Sequence, residues 1–377
     1  MEDKNSRAND VGLVSHYQLE NGSSQFVFFD VEDGTVAALV KYSLSFFTEN
    51  FVKILASCDG LLLLSGYKED NSCYYVFNPL TRNSDMIPQP SIKGYIVRVG
   101  LAYDGCQYQV VLVESSSSSI LEFQVFSSDT GKWRHQSSNL SCPASLPEFE
   151  FQELGVAPLY SNGAIHWEIS GYLLVYKVQC SHCELHELPN LFEDWCWQST
   201  MTYRRCLCES GGRVYYCYTD LDGFHVWCLV KDHEHNLSML YSEAANDPKR
   251  FSWRLVHSMN HEIFILRHQS FFGQFTDWEP YKIAPFAYSD NKQTIYLQLP
   301  GIVASYNIDK EILASSVCTY TYPADDFNCC SFLPFAIKPE AEVELLANRE
   351  MGLHLPLAQV EQLSFCVMLS PRDDSEL

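Results

Sequence analysis

The feature that most limits what this chain can fold into is a pattern of short apolar or alternating runs, each closed by a turn dipeptide. It persists from about residue 12 to residue 338. The dipeptides include Asn21-Gly22, Asp33-Gly34, Asp59-Gly60, Asp104-Gly105, Asn162-Gly163 and Asp222-Gly223. Each sets a residue that tolerates positive φ beside a glycine, which is the chemistry of tight hairpins between right-twisted strands. Strands are expected over residues 25–31, 61–65, 74–78, 109–114, 121–126, 164–169, 173–178, 213–218, 225–230, 294–298 and 303–308. Helical periodicity is nearly absent over the same span. Aromatic residues make up 14 % of the chain, an enrichment that suits strands. The chain reads as all-β.

The runs also repeat. An apolar strand ending in a polar turn recurs as FFDVEDG, YVFNPLT, QVFSSDTG, VYKVQC, WCLVKDHE and SYNIDKE. Anchored on Phe29, Phe77, Phe126, Tyr176, Leu229 and Tyr306, the instances lie 48, 49, 50, 53 and 77 residues apart. Four intervals match the ~50 residues of a kelch-type propeller blade. The long fifth interval leaves room between residues 246 and 285 for an insertion or a degenerate blade. One such sheet cannot bury both faces alone, whereas a ring of them covers each face with the next. The expected fold is an all-β β-propeller of about six blades, or seven if the 246–285 stretch holds one. A sandwich is the competing geometry, and the regular period disfavours it. Residues 1–11 are expected to be a disordered N-terminus and 12–338 the propeller. Residues 339–377, opening with EAEVELLANREM, are expected to form a helical or disordered acidic tail.

Charge and composition exclude several functions. There are 25 basic residues against 47 acidic, a net charge of −22. That field repels phosphate backbones, so no nucleic-acid partner is expected, while a basic protein partner is favoured. The polar opening MEDKNSRANDVG lacks the apolar core of a secretory signal. No run approaches the ~18 apolar residues of a membrane span. The expected location is therefore the cytoplasm and/or nucleus, with no membrane partner. The 15 cysteines then read mainly as reduced, buried small hydrophobes.

Several stretches resemble the F-box-associated domain of plant F-box proteins. Residues 54–88, ILASCDGLLLLSGYKEDNSCYYVFNPLTRNSDMIP, carry the order of an S-C-D-G-L-L strand, a Y-x-V-x-N-P-x-T strand and an Ile-Pro ending. GLAYDGCQYQVVLV leads into FQVFSSDTGKWR, and SNGAIHWE follows, each similar to a blade motif of that family. Residues 211–230 and 284–309 match more loosely, so the likeness covers roughly residues 54 to 335. It implies a substrate-recognition propeller of an SCF-type ubiquitin ligase. Members of the family carry a helical N-terminal F-box that binds the ligase adaptor. Residues 1–53 read instead as strand, turn, strand, turn, strand, so binding of that adaptor is not expected. Physically, Trp133 and Trp167 suit the wedge between blades, where each indole N–H needs a single partner.

Little in the sequence points to catalysis. Ser127 to Trp133 nearly reproduces the Asp-box turn of sialidase propellers, which is structural even in those enzymes. Cys180 and Cys183 with His182 and His186, the pair Cys206 and Cys208, and Cys329-Cys330 all fall short of the four ligands of a structural zinc site. On a strand, moreover, His182 and Cys183 diverge. No metal or other cofactor is expected, and His233 and His235 read as a solvated turn. No phosphate-binding glycine loop or Gly-x-Ser-x-Gly elbow occurs. Two segments break the repeat with dense aromatics, LFEDWCWQ and SFFGQFTDWEP. Their Trp195, Trp197, Phe271, Phe272, Phe275 and Trp278 are the candidate partner-binding residues, since exposed aromatics anchor protein interfaces. The expected function is a non-enzymatic protein-recognition module. A glycan-acting propeller enzyme, or a structural subunit of a larger assembly, are the alternatives.

Overall fold

The computed structural model describes residues 11–18, 24–32, 35–43, 52–68, 71–79, 81, 83–92, 95–115, 120–141, 156–169, 171–189, 205–231, 251–273, 283–299, 302–318 and 332–336. Among these residues the strands form six four-stranded antiparallel sheets. The first joins β24 (Phe332–Ala336) to β1 (Val11–Gln18), β2 (Ser24–Glu32) and β3 (Thr35–Ser43). The second runs β4 (Val52–Cys58), β5 (Leu61–Lys68), β6 (Asn71–Asn78) and β7 (Asn83–Ile87). The third runs β8 (Tyr95–Tyr103), β9 (Tyr108–Ser115), β10 (Ile120–Ser127) and β11 (Lys132–Ser141). The fourth comprises β12 (Leu159–Ser161), β13 (Ala164–Ile169), β14 (Tyr172–Lys177) and β15 (His182–Glu187). The fifth comprises β16 (Arg205–Ser210), β17 (Arg213–Thr219), β18 (Gly223–Lys231) and β19 (Phe251–Asn260). The sixth comprises β20 (Ala284–Ser289), β21 (Thr294–Leu299), β22 (Ile302–Asn307) and β23 (Ile312–Cys318).

The leading strands neighbour one another in turn. β4 lies beside β8, β8 beside β12, β12 beside β16, β16 beside β20, β20 beside β24 and β24 beside β4. Sheets succeeding each other around a common axis make this an all-β propeller. The first sheet is described by its backbone pairing, with Val11 opposite Ala336 and Ser15 opposite Phe332. The N-terminal run expected to be strand, turn, strand does supply β1 to β3.

Every repeat anchor has the same address. Phe29, Phe77, Phe126, Tyr176, Leu229 and Tyr306 fall on β2, β6, β10, β14, β18 and β22, the third strand of each sheet. The turn dipeptides serve as expected at two well-defined hairpins. Asp59 and Gly60 take φ of 43° and 85° between β4 and β5, and Asn162 and Gly163 take 52° and 76° between β12 and β13. Two consecutive positive φ values give the type I′ sense that follows strand twist.

Among the described residues, the long fifth interval holds no further sheet. Its described part supplies the outer strand β19 and then two short helices, α1 (His261–Arg267) and α2 (Gln269–Phe272). Asn260 caps α1, its Oδ1 accepting from the amides of Glu262 at 3.0 Å and Ile263 at 3.3 Å. Phe264 drives the helix onto the sheets, meeting Phe224 and Tyr306 edge-on with centroids 5.1 Å away in each case. The seven-bladed option therefore falls, because a seven-residue helix satisfies its own backbone where a blade would have needed strand partners. Residues 1–10 and 337–377, which hold the expected terminus and tail, lie outside the described residues.

The cores lie between sheets. Trp167 is fully buried on β13 between the third and fourth sheets, and its indole N–H donates to the Val99 carbonyl at 3.0 Å. Trp133 donates to the Pro88 carbonyl, joining the third sheet to the second. Trp253 donates to the Glu187 carbonyl at 2.9 Å, joining the fifth sheet to the fourth. In each case a large ring fills the wedge while its one polar atom finds backbone in the preceding sheet.

Candidate functional site

Strand direction sorts the connections onto two ends of the ring. At one end lie the hairpins that join the first strand of a sheet to the second and the third to the fourth, including 162–163, 178–181 and 211–212. At the other, Glu187 leaves β15, Arg205 enters β16, Asn260 leads into α1 and Ala284 enters β20.

The hairpin end holds a cleft of about 540 Å³ between the fourth and fifth sheets. Its floor is apolar, from Ala164, Val175, Val214 and Leu229. Its charged lining is mostly cationic, with Lys177 on β14, Arg213 on β17 and Lys231 on β18 against one carboxylate, Glu184 on β15. The mouth is tied across the two sheets by Asn162, whose amide donates to the Gly212 carbonyl at 2.9 Å. A net charge of −22 makes a basic cleft a local reversal of sign.

Glu184 is tightly held. Lys177 Nζ donates to it at 2.5 Å, and His182 and His186 lie 3.3 and 3.4 Å from its oxygens. Burial alone would push this carboxyl upward. The hydrogen bond and charge of Lys177, with the two histidines, outweigh it and hold Glu184 below the ordinary carboxylate range. His186 also meets Phe251 edge-on at 5.3 Å. His182, Glu184 and His186 share one face by strand alternation, and Cys183 lies on the other. Cys180 is exposed in the preceding turn.

Deeper in the cleft, His166 is buried on β13. Burial drives its pKa down to about 4, against smaller upward pulls from the Leu159 and Ala164 backbone and a downward one from His186. It is neutral near pH 7. Between pH 6.5 and 4 the unfolded chain binds a proton at this position that the folded chain does not, so stability falls as pH falls. We expect a loss of roughly 3 kcal/mol across that window at ~1.4 kcal/mol per pH unit. Urea unfolding of the wild type and of His166→Asn, compared at pH 7 and pH 4.5, should show a flatter pH dependence in the variant. Parallel profiles would refute the assignment.

Across the fourth and fifth sheets sits a buried ion cluster. Glu168 on β13 pairs with the Arg205 guanidinium from β16, and Tyr216 donates to its other oxygen at 3.4 Å. Arg98 of β8 donates to the Glu168 backbone carbonyl at 2.9 Å. The Glu168 carboxylate is thus held by Arg205 and Tyr216 while its backbone carbonyl holds Arg98, and the cluster contains one carboxylate, not the pair that acid–base work needs.

The candidate partner-binding aromatics divide. Trp195, Trp197, Phe275 and Trp278 lie outside the described residues, and their flanking strands and helix reach the end opposite the cleft. Phe272 is buried, 5.7 Å from Phe264, and Phe271 is half-buried against it with centroids 5.1 Å apart. Phe272 thus braces α2 against the core instead of facing solvent, because the short helix has too little other apolar surface to hold it down. The cleft itself was missed by sequence reasoning. Its residues come from seven strands between Ser161 and Phe251, and only the sheet register brings them together.

The chain is similar to known proteins over much of its length. The β-propeller described as "F-box protein At3g26010-like" matches residues 35–297. Among curated proteins of Arabidopsis thaliana, the putative F-box protein At3g23950 is 28% identical over 225 residues, 50% of each chain. The putative F-box protein At3g23970 is 27% identical over 220 residues, 50% of this chain and 51% of the relative. F-box protein At5g07610 is 26% identical over 162 residues, covering 38% of this chain and 36% of the relative. The chain thus spans about half the length, or less, of the curated relatives it matches. Among solved structures, a chain of a nidogen/laminin complex is 11% identical, with a TM-score of 0.40 over 80% of this chain and 91% of that one. TolB from Acinetobacter baumannii is 10% identical, with a TM-score of 0.39 over 80% and 62%. With the propeller built from its strands and the family match spanning most of them, the chain belongs to the At3g26010-like F-box protein β-propeller family.

Proposed function

We propose that this chain is a non-enzymatic protein-recognition module, resembling the substrate-binding part of an F-box protein. The observation that carries the reading is the cationic cleft between the fourth and fifth sheets of an otherwise acidic chain. Its apolar floor with Arg213 and Lys231 suits a protein segment that inserts an acidic side chain beside an apolar one, Lys177 being paired with Glu184. The mean charge of the whole body still favours approach by a partner with basic regions. The single carboxylate of the cleft lining, Glu184, speaks against a glycan hydrolase, which needs two. The aromatic anchors expected at Trp195 and Trp278 lie outside the described residues and form the rival binding site.

Two double variants separate the ends. Affinity capture from plant-cell lysate, read by quantitative mass spectrometry, should lose its main partner with Arg213→Glu/Lys231→Glu. It should keep that partner with Trp195→Ala/Trp278→Ala. Retention in the first variant removes the cleft as the binding site, and loss in the second alone moves recognition to the opposite end.

A further inference from the structure

The register of the fifth sheet creates a cluster that is invisible in the sequence. Cys206 and Cys208 are two apart on β16, so their side chains share one face. Cys217 on β17 stands directly opposite Cys206. The three sulfur atoms all lie within 4.8 Å of one another. Cys208 and Cys217 are fully buried, while Cys206 is only partly so. Around them the same face presents Tyr215, Val226 and Cys228, and the sixth sheet covers it with Tyr288 and Leu297.

We propose that Cys206, Cys208 and Cys217 form a three-thiolate site for a soft, low-coordinate metal ion, copper(I). Sulfur donors select soft ions. Three sulfurs at about 2.3 Å from one central ion stand roughly 4 Å apart, a spacing the cluster reaches with small rotamer changes. Among the described residues this group of ligand atoms numbers three, and a structural zinc site closes with four. Coordination number three therefore favours copper(I). Part-exposed Cys206 supplies the route of entry, and the covering aromatic and aliphatic side chains keep water from completing the shell. Each thiol that binds exchanges S–H for S–Cu and gives its proton to solvent. The site is separate from the cleft, since these side chains face the sixth sheet and the cleft opens between the fourth and fifth.

The test uses the full chain in a Cys106→Ser/Cys180→Ser background, which removes the two exposed thiols of the described residues. Copper(I) is supplied anaerobically with ascorbate against the chelator bicinchoninate. One equivalent should be retained, and each of Cys206→Ser, Cys208→Ser and Cys217→Ser should weaken it at least about tenfold, or ~1.4 kcal/mol. Cys228→Ser, a buried cysteine on the same face, should bind as the parent does. On the unsubstituted chain, copper(I) should shield the peptides of the three cysteines from alkylation, and X-ray absorption should count three sulfurs. That measurement stands even if a variant fails to fold. Equal retention in all variants, unshielded cluster peptides, a two-sulfur ion, or tighter binding of zinc with four ligands would each overturn the proposal.

Discussion

Trp167→Ala should destabilise the propeller by about 3–5 kcal/mol, the range for removing a fully buried large aromatic. The ring is fully enclosed and cannot be replaced by collapse, because the wedge it fills is bounded by two sheets with fixed backbones. The ring lies flush on Gly100, where an added Cβ would stand 2.7 Å from Trp167 Cζ2. The loss also strands the Val99 carbonyl that the indole N–H serves at 3.0 Å, adding a cost of ~1 kcal/mol. Trp167→Phe keeps much of the volume and should recover part of the loss. Urea denaturation midpoints at pH 7 measure all three proteins. A penalty below ~1 kcal/mol for the alanine variant would mean that the third and fourth sheets do not depend on this contact.

The neighbouring residue should matter as much for a different reason. Glu168→Ala removes the carboxylate that pairs with Arg205 and accepts from Tyr216. Breaking one side of a buried ion pair costs about 3–5 kcal/mol, because the remaining charge has lost its compensation. The double variant Glu168→Leu/Arg205→Met should be more stable than Glu168→Ala, since an apolar pair of similar volume carries no orphaned charge. If the double variant is the less stable one, simple loss of packing explains the site and the electrostatic account fails. Trp167 and Glu168 project from opposite faces of β13, so one strand fastens the sheet before it and the sheet after it.

Much of the fold could be read from the residues because the middle strands of each sheet are covered on both faces. In β13, AIHWEI is buried throughout, and such runs stand out as apolar. Outside the N-terminal run, the strands expected at the outset are all second or third strands of a sheet. Outer strands escape because one face meets water: β15 reads HCELHE, with no buried position, and β7 reads NSDMI, with only Ile87 buried. The two helices escaped for want of length. HEIFILR makes barely two turns, and its main signal is the capping Asn260. The tryptophan wedges were legible in Trp133 and Trp167, whereas Trp253 sits on a half-exposed outer strand and gave no pattern. Neither the cleft nor the thiol cluster could be found from local sequence. Cys217 is nine positions beyond Cys208 along the chain, yet the hairpin turn at Gly211 and Gly212, with φ of 58° and 76°, folds it back onto Cys206.

The pairing of Val11 with Ala336 has a bearing on how this molecule is born. A ribosome releases the first strands long before the one that completes their sheet, so the earliest-made edge must wait, bare and adhesive, until almost the whole domain has emerged. Completion of this sheet is thereby coupled to the synthesis of β24. A chaperone that shields that waiting edge would govern the yield of intact rings more than any single contact inside them.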